Sequence, residues 1–500
     1  AQQDNQRVRV VGTPTPTVAP TPINTPTPVS GQSSTDLQNK IRLALARPQL
    51  QRGQVGIKIV SLNSNKTIFE QNAEKYFMPA SNMKSYTVAA AIERLSPDFR
   101  FVTSVFANGT PDANGTLKGD MTIYGRGDVS FSTAFYEGDY YKGLDALATK
   151  IAQTGIKRIE GNLVGDDSYF SGNPTPFGWE WDDMQWYYGA EVSALPINNN
   201  SVDLYVKPSS IGALCNVQVL PLNPVVKIQN TCVTTANSVK RDLKVTKKLD
   251  QNILEISGSM PANDKAYEGY ISVSRPAEMF IALLRQRLEK QGIIITGQNR
   301  LINPKLKVLS QVAPIEITRI ESVPISIIAQ KTMKPSQNLF TETILWTLGE
   351  QVGDKAKINL TSAERGVGVV SNFLMQAGIA SDAVRQYDGS GLSRHNLITP
   401  NSAVQLYGYM AKSRYAQAWF DSLTIGGIDG TLRNRFKGTK AANNVRGKTG
   451  TIDQVSALSG YVSTASGERL VFSVIVNGVA ETSVRQATID EIIVALANYN

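Results

Sequence analysis

The sequence predicts an α+β body assembled from both ends of the chain and interrupted by a large β-rich insert of one or two domains. Three observations predict it. A helix and a two-stranded hairpin open the globular part, three more strands and a helix close it, and residues 104–309 between them have a different texture. Five hundred residues also exceed what one ordinary core accommodates. The chain therefore divides into a flexible Thr/Pro-rich segment (1–34), a body (35–103 and 310–500) and an insert (104–309).

Residues 13–28, TPTPTVAPTPINTPTP, favour extended polyproline conformations and offer little apolar area to pack; they read as a spacer or as a tail without a role. From Asp36 an amphipathic helix runs through Leu37, Ile41, Leu43, Leu45 and Ala46 and stops before Pro48. Gln54–Ser61 and Lys66–Glu70 are β-branched segments joined by Leu62-Asn63-Ser64-Asn65, a hairpin. A second helix opens behind Pro79, contains Ser81 and Lys84, and continues to Leu95. In the insert, Gly, Asn, Asp and aromatics surround short strand signals at Gly119–Tyr124, Val202–Lys207 and Ile253–Ser257, with no fixed repeat. The stretch from Thr332 to Gln417 reads mainly helical, a lobe beside the sheet. Val445–Ile452, Ala457–Thr464 and Leu470–Gly478 are strands at hairpin spacing, and a last helix, Val484 to Asn498, aligns Ile489, Ile492, Ile493 and Leu496. One sheet built from these strands has both terminal helices on one face.

Composition narrows the function classes. With 41% apolar and 19% charged residues the chain is of globular type, and no run of eighteen apolar residues provides a transmembrane segment. Its net charge of +9 favours anionic surroundings, but Lys and Arg are scattered and no basic block is interleaved with aromatics, which argues against nucleic acid and leaves peripheral membrane contact open. A start at Ala1 rather than Met is what a secreted protein shows once its signal peptide is removed. Cys215 and Cys232 either close a disulfide, worth about 3 kcal/mol and requiring an oxidising compartment, or remain buried thiols. His395 is the one histidine, so no conventional zinc site is expected and no cofactor is called for. A hydrolase built on this chain must take its base from elsewhere.

Three short motifs carry chemistry. Ser81-Asn82-Met83-Lys84 places a hydroxyl and an amine three residues apart, on one face of a helix. Lys448-Thr449-Gly450-Thr451 lies in a strand, where the glycine allows close approach and Lys448 offers a positive charge. S-x-N occurs three times; Ser61-Leu62-Asn63 and Ser171-Gly172-Asn173 read as turns, whereas Ser336-Gln337-Asn338 leads into a helix of the lobe. Each motif alone is weak, an N-cap for Ser81 and a lysine-protected edge strand for Lys448 being the plain alternatives. In this order, on these element types, they match the set used by penicillin-recognising serine enzymes.

The chain resembles the low-molecular-mass class C penicillin-binding proteins, the D-alanyl-D-alanine carboxypeptidase/endopeptidase family. Besides PASNMK, SQN and GKTGT, it carries Asp388-Gly389-Ser390-Gly391-Leu392-Ser393-Arg394 followed by Asn396, similar to that family's DGSGLSR-x-N segment. KGDMTIYGRGD, GDDSYF, GWEWDDMQWYYGAEVSAL and NNNSVDL resemble its insertion, so the likeness spans residues 36–500. Gln337 stands where Asp or Asn is commoner, and YGRGD where a GGGD-like turn is usual. Arg126-Gly127-Asp128 accordingly reads as part of a turn, not as an integrin-binding tripeptide.

The resemblance implies a serine β-lactamase/penicillin-binding transpeptidase-like fold and an extracytoplasmic acyl-enzyme cycle on peptidoglycan stem peptides, with β-lactams as covalent inhibitors. In it Ser81 attacks the carbonyl between two D-alanines, Lys84 takes the serine proton, and burial with the nearby Lys448 charge lowers the lysine pKa. Ser336 relays the proton and Asn338 orients the substrate amide. Lys448, Thr449, Gly450 and Thr451 meet the terminal carboxylate, and Ser390 is expected at the substrate. The main-chain N–H groups of Ser81 and Thr451 form the oxyanion hole. The rivals are a β-lactamase, a wall-binding protein without activity, and an esterase using Ser393 and His395, which lacks a G-x-S-x-G elbow.

Overall fold

Strands from both ends of the chain meet in one antiparallel sheet. The computed structural model describes residues 34–302 and 314–500; the Thr/Pro tract at 13–28 lies outside the described residues. The sheet comprises β1 (Gln54–Ser61), β2 (Thr67–Gln71), β3 (Thr424–Ile425), β4 (Arg446–Ile452), β5 (Val455–Ser463) and β6 (Arg469–Asn477), in spatial order β2-β1-β6-β5-β4-β3. The register pairs Ile57 with Val474 and Leu458 with Val474, so these side chains share a face. Helices α1 (Ser34–Leu45) and α8 (Thr482–Ala497) cover that face: Leu37 and Ile41 from one, Ile489, Ile492, Ile493 and Leu496 from the other, join Ile57, Leu458 and Val474 in a single buried cluster. Leu43, expected on the buried face of α1, is instead exposed.

The opposite face meets the helical lobe, formed by α2 (Met83–Leu95), α3 (Ile325–Met333), α4 (Asn338–Gln351), α5 (Ser362–Gln376), α6 (Pro400–Met410) and α7 (Ala416–Ser422). Tyr461 of β5 donates its hydroxyl to the Tyr407 carbonyl at 2.6 Å and accepts from Trp419 Nε1 at 2.9 Å. The lobe's second run of helices begins before the expected Thr332, at Ile325, and residues 377–399 are not helical. There Asp388 takes the N–H groups of Gly391 and Ser393, both at 2.7 Å, so a short side chain substitutes for helical bonds and turns the chain.

The chain divides into two compact units. One holds the sheet and lobe together with Pro176–Gly178; the other holds Arg100–Thr175 and Trp179–Val323. The latter contains a five-stranded mixed sheet, two three-stranded sheets and a four-stranded one around helices Lys142–Ala152 and Pro276–Lys290. Gly119–Tyr124, expected as one strand, is broken at Gly119 (φ +95°): Thr116–Lys118 pairs in a three-stranded sheet and Met121–Tyr124 in the five-stranded one. Cys215 and Cys232, left open by the sequence, form a disulfide with their Cα atoms 5.4 Å apart. Among the described residues no helix is long and apolar enough to cross a membrane.

The Arg126-Gly127-Asp128 turn is engaged internally. Arg126 donates to the Val102 carbonyl and to Ser104 Oγ and lies over the Tyr124 ring, while Asp128 is buried and accepts from Ser130 N–H at 2.9 Å. Burial pushes the Asp128 carboxyl up to about 6. A raised folded-state pKa stabilises the fold at low pH, and that contribution is lost as pH rises through about 6. Asp128→Asn keeps the acceptor but cannot ionise. Its unfolding free energy is therefore expected to decline less than the wild type's between pH 4 and 7, by on the order of 2–3 kcal/mol; parallel pH curves would refute this.

Candidate active site

Ser81 lies on a tight turn, Ala80–Asn82, which precedes α2 and is not yet part of the expected helix. The turn leaves the i to i+3 relation intact. Lys84, fully buried, brings Nζ to 3.1 Å from Ser81 Oγ, and donates to Asn338 Oδ1 and the Ser390 carbonyl, both at 2.7 Å. The last two partners are carbonyl oxygens and can only accept. When the amine is neutral, its two N–H groups satisfy them and its lone pair faces the Ser81 hydroxyl.

The main chain in front of Ser81 is held in an uncommon conformation, Ala80 having φ +47°. Two glycines close on it from separate elements. A Cβ on Gly450 of β4 would stand 2.4 Å from the Pro79 oxygen, and one on Gly391 (φ +82°) 1.9 Å from the Ala80 oxygen. Gly450 thus serves a close backbone approach.

Ser336-Gln337-Asn338 bridges the other two motifs. Asn338, first residue of α4, reaches Lys84, whereas Ser336 (φ +66°) accepts from Lys448 Nζ at 2.9 Å. Gln337 is fastened through its main chain, its N–H donating to the Thr332 carbonyl and its carbonyl accepting from Thr341 Oγ1. The unusual residue therefore leaves its two neighbours in position. Lys448 also donates to the Thr449 carbonyl, and Thr449 Oγ1 bonds Thr431 Oγ1. Because β3 pairs only with Arg446 and Gly447, β4 from Lys448 onward has no strand on its outer side among the described residues.

Ser390, expected at the substrate, is fully buried beneath Lys84, and its main-chain carbonyl makes the contact. Asp388, besides its turn bonds, accepts from Asn396 Nδ2 at 2.7 Å, which explains the D-G-S-G-L-S-R-x-N pattern as a self-bonded loop. Sequence reading missed Glu342, whose carboxyl receives the N–H groups of Ser390 and Gly389. The available signal was an acidic residue inside the apolar helix Leu339–Leu348. His395 contributes none of these hydrogen bonds: its ring packs at a tilt on Phe177 (4.9 Å) and Tyr387 (5.5 Å), and its hydrogen bond to Ser393 Oγ comes from the main chain, not the imidazole.

Residues 37–499 match the model of the D-Ala-D-Ala carboxypeptidase 3 (S13) family. A D-alanyl-D-alanine carboxypeptidase of an Actinomadura species is 30% identical over 486 residues, covering 94% of this chain and 86% of that protein. The D-alanyl-D-alanine carboxypeptidase DacB of Haemophilus influenzae is 26% identical over 430 residues, 85% of each chain. The crystal structure of penicillin binding protein 4 (dacB) from Haemophilus influenzae superposes with a TM-score of 0.76 at 24% identity, covering 90% of this chain and 97% of that one. Its complex with a β-lactam gives 0.72 at 23% identity, covering 91% and 97%. The architecture is the penicillin-binding, transpeptidase-like α+β fold that the sequence led us to expect.

Proposed function

The chain belongs to the D-Ala-D-Ala carboxypeptidase 3 (S13) family, and on that premise we propose that Ser81 is its nucleophile and Lys84 its base. The enzyme is a serine-type D-alanyl-D-alanine carboxypeptidase and a low-molecular-mass class C penicillin-binding protein. One observation supports the assignment of roles above the others: three hydrogen bonds join the three motifs, Lys84 to Ser81, Lys84 to Asn338, and Lys448 to Ser336.

Ser81 Oγ attacks the carbonyl between the two D-alanines of a stem peptide as its proton passes to Lys84. The oxyanion is received by the N–H groups of Ser81 and Thr451, a pair in which one donor is worth about 100- to 1,000-fold in rate. Ser336, which accepts from Lys448, gives its hydroxyl proton to the departing D-alanine amine and recovers one from the Lys84 ammonium, which returns Lys84 to the neutral amine. Lys448, Thr449 and Thr451 hold the terminal carboxylate along the outer side of β4, where no strand pairs beyond Gly447 among the described residues. Water then attacks the acyl ester, Lys84 again taking the proton, and frees Ser81. Cross-linked stem peptides engage the same array, as an endopeptidase requires. A β-lactam enters as the stem peptide does and stays on the serine. An extracytoplasmic setting, reached by secretion with a signal peptide removed, accords with the Cys215–Cys232 disulfide.

Radiolabelled penicillin is expected to attach to Ser81 alone, because that serine has the lysine one turn away. Mass mapping of the labelled peptide, alongside assay of D-alanine released from a pentapeptide stem, checks the reading. A label on Ser390 or Ser393 would sink it.

A further inference from the structure

Glu342 takes no part in the cycle above, yet it is a fully buried carboxyl immediately behind it. It lies four residues after Asn338, on the same face of α4. Its Oε1 accepts from Ser390 N–H at 2.7 Å and its Oε2 from Gly389 N–H at 2.9 Å, and the Ser390 hydroxyl adds a third bond. Ser390 is thereby gripped from both sides, by Glu342 at its N–H and by Lys84 Nζ at its carbonyl, 2.7 Å away. One helix thus supplies Lys84 with two acceptors, directly through Asn338 and indirectly through Glu342 and residue 390. The Gly389 carbonyl is tied back to α2 by Thr87 Oγ1 at 3.0 Å. The neighbouring carboxylate, Asp388, bonds Gly391, Ser393 and Asn396, so the Gly389–Ser390 N–H groups face Glu342.

A carboxyl is a costly choice for this task. Burial, with the nearby Asp388 carboxylate, pushes Glu342 well above the usual carboxylate range. Two N–H groups could be satisfied by neutral acceptors without that penalty, and expensive buried carboxyls concentrate where function requires them.

We propose that Glu342 is a positioning residue for acylation: by fixing the Gly389–Ser390 backbone, it keeps the Ser390 carbonyl on Lys84 and the lysine amine aimed at Ser81 Oγ. The inference rests on the reading of Lys84 as the base. The charged groups facing Glu342 are Asp388 from the loop and, across residue 390, Lys84 from α2. The Ser390 carbonyl that Glu342 orients accepts from Lys84 at 2.7 Å and so favours the ammonium form of the lysine.

Glu342→Gln turns one amide N–H towards a main-chain N–H and releases part of the grip. Purified full-length variants are reacted with a chromogenic penicillin in stopped flow, and rates are normalised to the sites labelled at saturation, which removes any unfolded fraction. Since misplacement by about 1 Å costs on the order of 100-fold, Glu342→Gln is expected to acylate at least about tenfold more slowly, with noncovalent binding little changed. The ascending limb of its pH profile is expected at lower pH, because the ammonium loses support. Glu342→Asp, which keeps a carboxyl and reaches less far, is expected between wild type and Glu342→Gln. Acylation by both variants within about threefold of wild type, an unmoved pH limb, or failure of both variants to fold would each overturn the assignment, the last by making the role structural. If Glu342→Gln behaves as wild type while Lys84→Ala is inactive, this inference alone fails; if Lys84→Ala is active, the underlying reading fails.

Discussion

Lys84→Ala is expected to lower acylation at least about 100-fold, the low end for loss of a general base, while His395→Ala keeps more than about a tenth of the activity. Lys84 touches the Ser81 hydroxyl and is held by two carbonyl acceptors, a placement suited to receiving its proton. His395 is the one imidazole of the chain, and its ring packs at a tilt against both Phe177 and Tyr387, which also touch each other. Its removal loosens ring packing beside the DGSGLSR loop and causes a modest loss. Single-turnover acylation by penicillin, with circular dichroism to confirm the fold of each variant, distinguishes the two. A folded His395→Ala as inactive as Lys84→Ala would mean that the lysine mechanism is wrong for this chain.

Lys448→Ala is expected to lower kcat/KM by about two to three orders of magnitude, in line with the 2–5 kcal/mol lost when one partner of a buried, hydrogen-bonded charge pair is truncated. Lys448 is fully buried in β4, just beyond the two residues that pair with β3, and bonds Ser336. On the proposed mechanism it contributes a positive charge for the substrate carboxylate and a fixed position for the Ser336 hydroxyl. Steady-state assay of a free-acid substrate beside its amidated counterpart separates these contributions. The wild type is expected to prefer the acid strongly and Lys448→Ala to lose most of that preference. An equal loss on both substrates would show that Lys448 does not read the carboxylate.

How far the site was legible follows from the range of the forces involved. The pairing of Ser81 with Lys84 could be read because a spacing of three residues is a local property of a turn or helix. Ser390 was read from its motif as a substrate contact, but the motif conceals a loop turned inward by Asp388, with the carbonyl rather than the hydroxyl meeting Lys84. Glu342 escaped because an acidic residue in a helix reads as a solvated face until packing surrounds it.

By itself the sequence determined the elements that depend on near neighbours: the hairpin at Gln54–Gln71, the three closing strands, the terminal helices and the i to i+3 geometry of Ser81 and Lys84. Alternation, periodicity and turn chemistry act over a few residues, and these features are written at that scale. Only the tertiary structure decided that Lys84 meets Asn338, 254 positions away, and Ser390, 306 away, and that Ser336 meets Lys448 across 112. It also decided that Cys215 and Cys232 are bonded. Those encounters arise where the lobe packs on the sheet and, for the cysteines, where strands of the other unit converge. Which buried groups face one another is set by the fit of whole elements, and no local pattern encodes that fit.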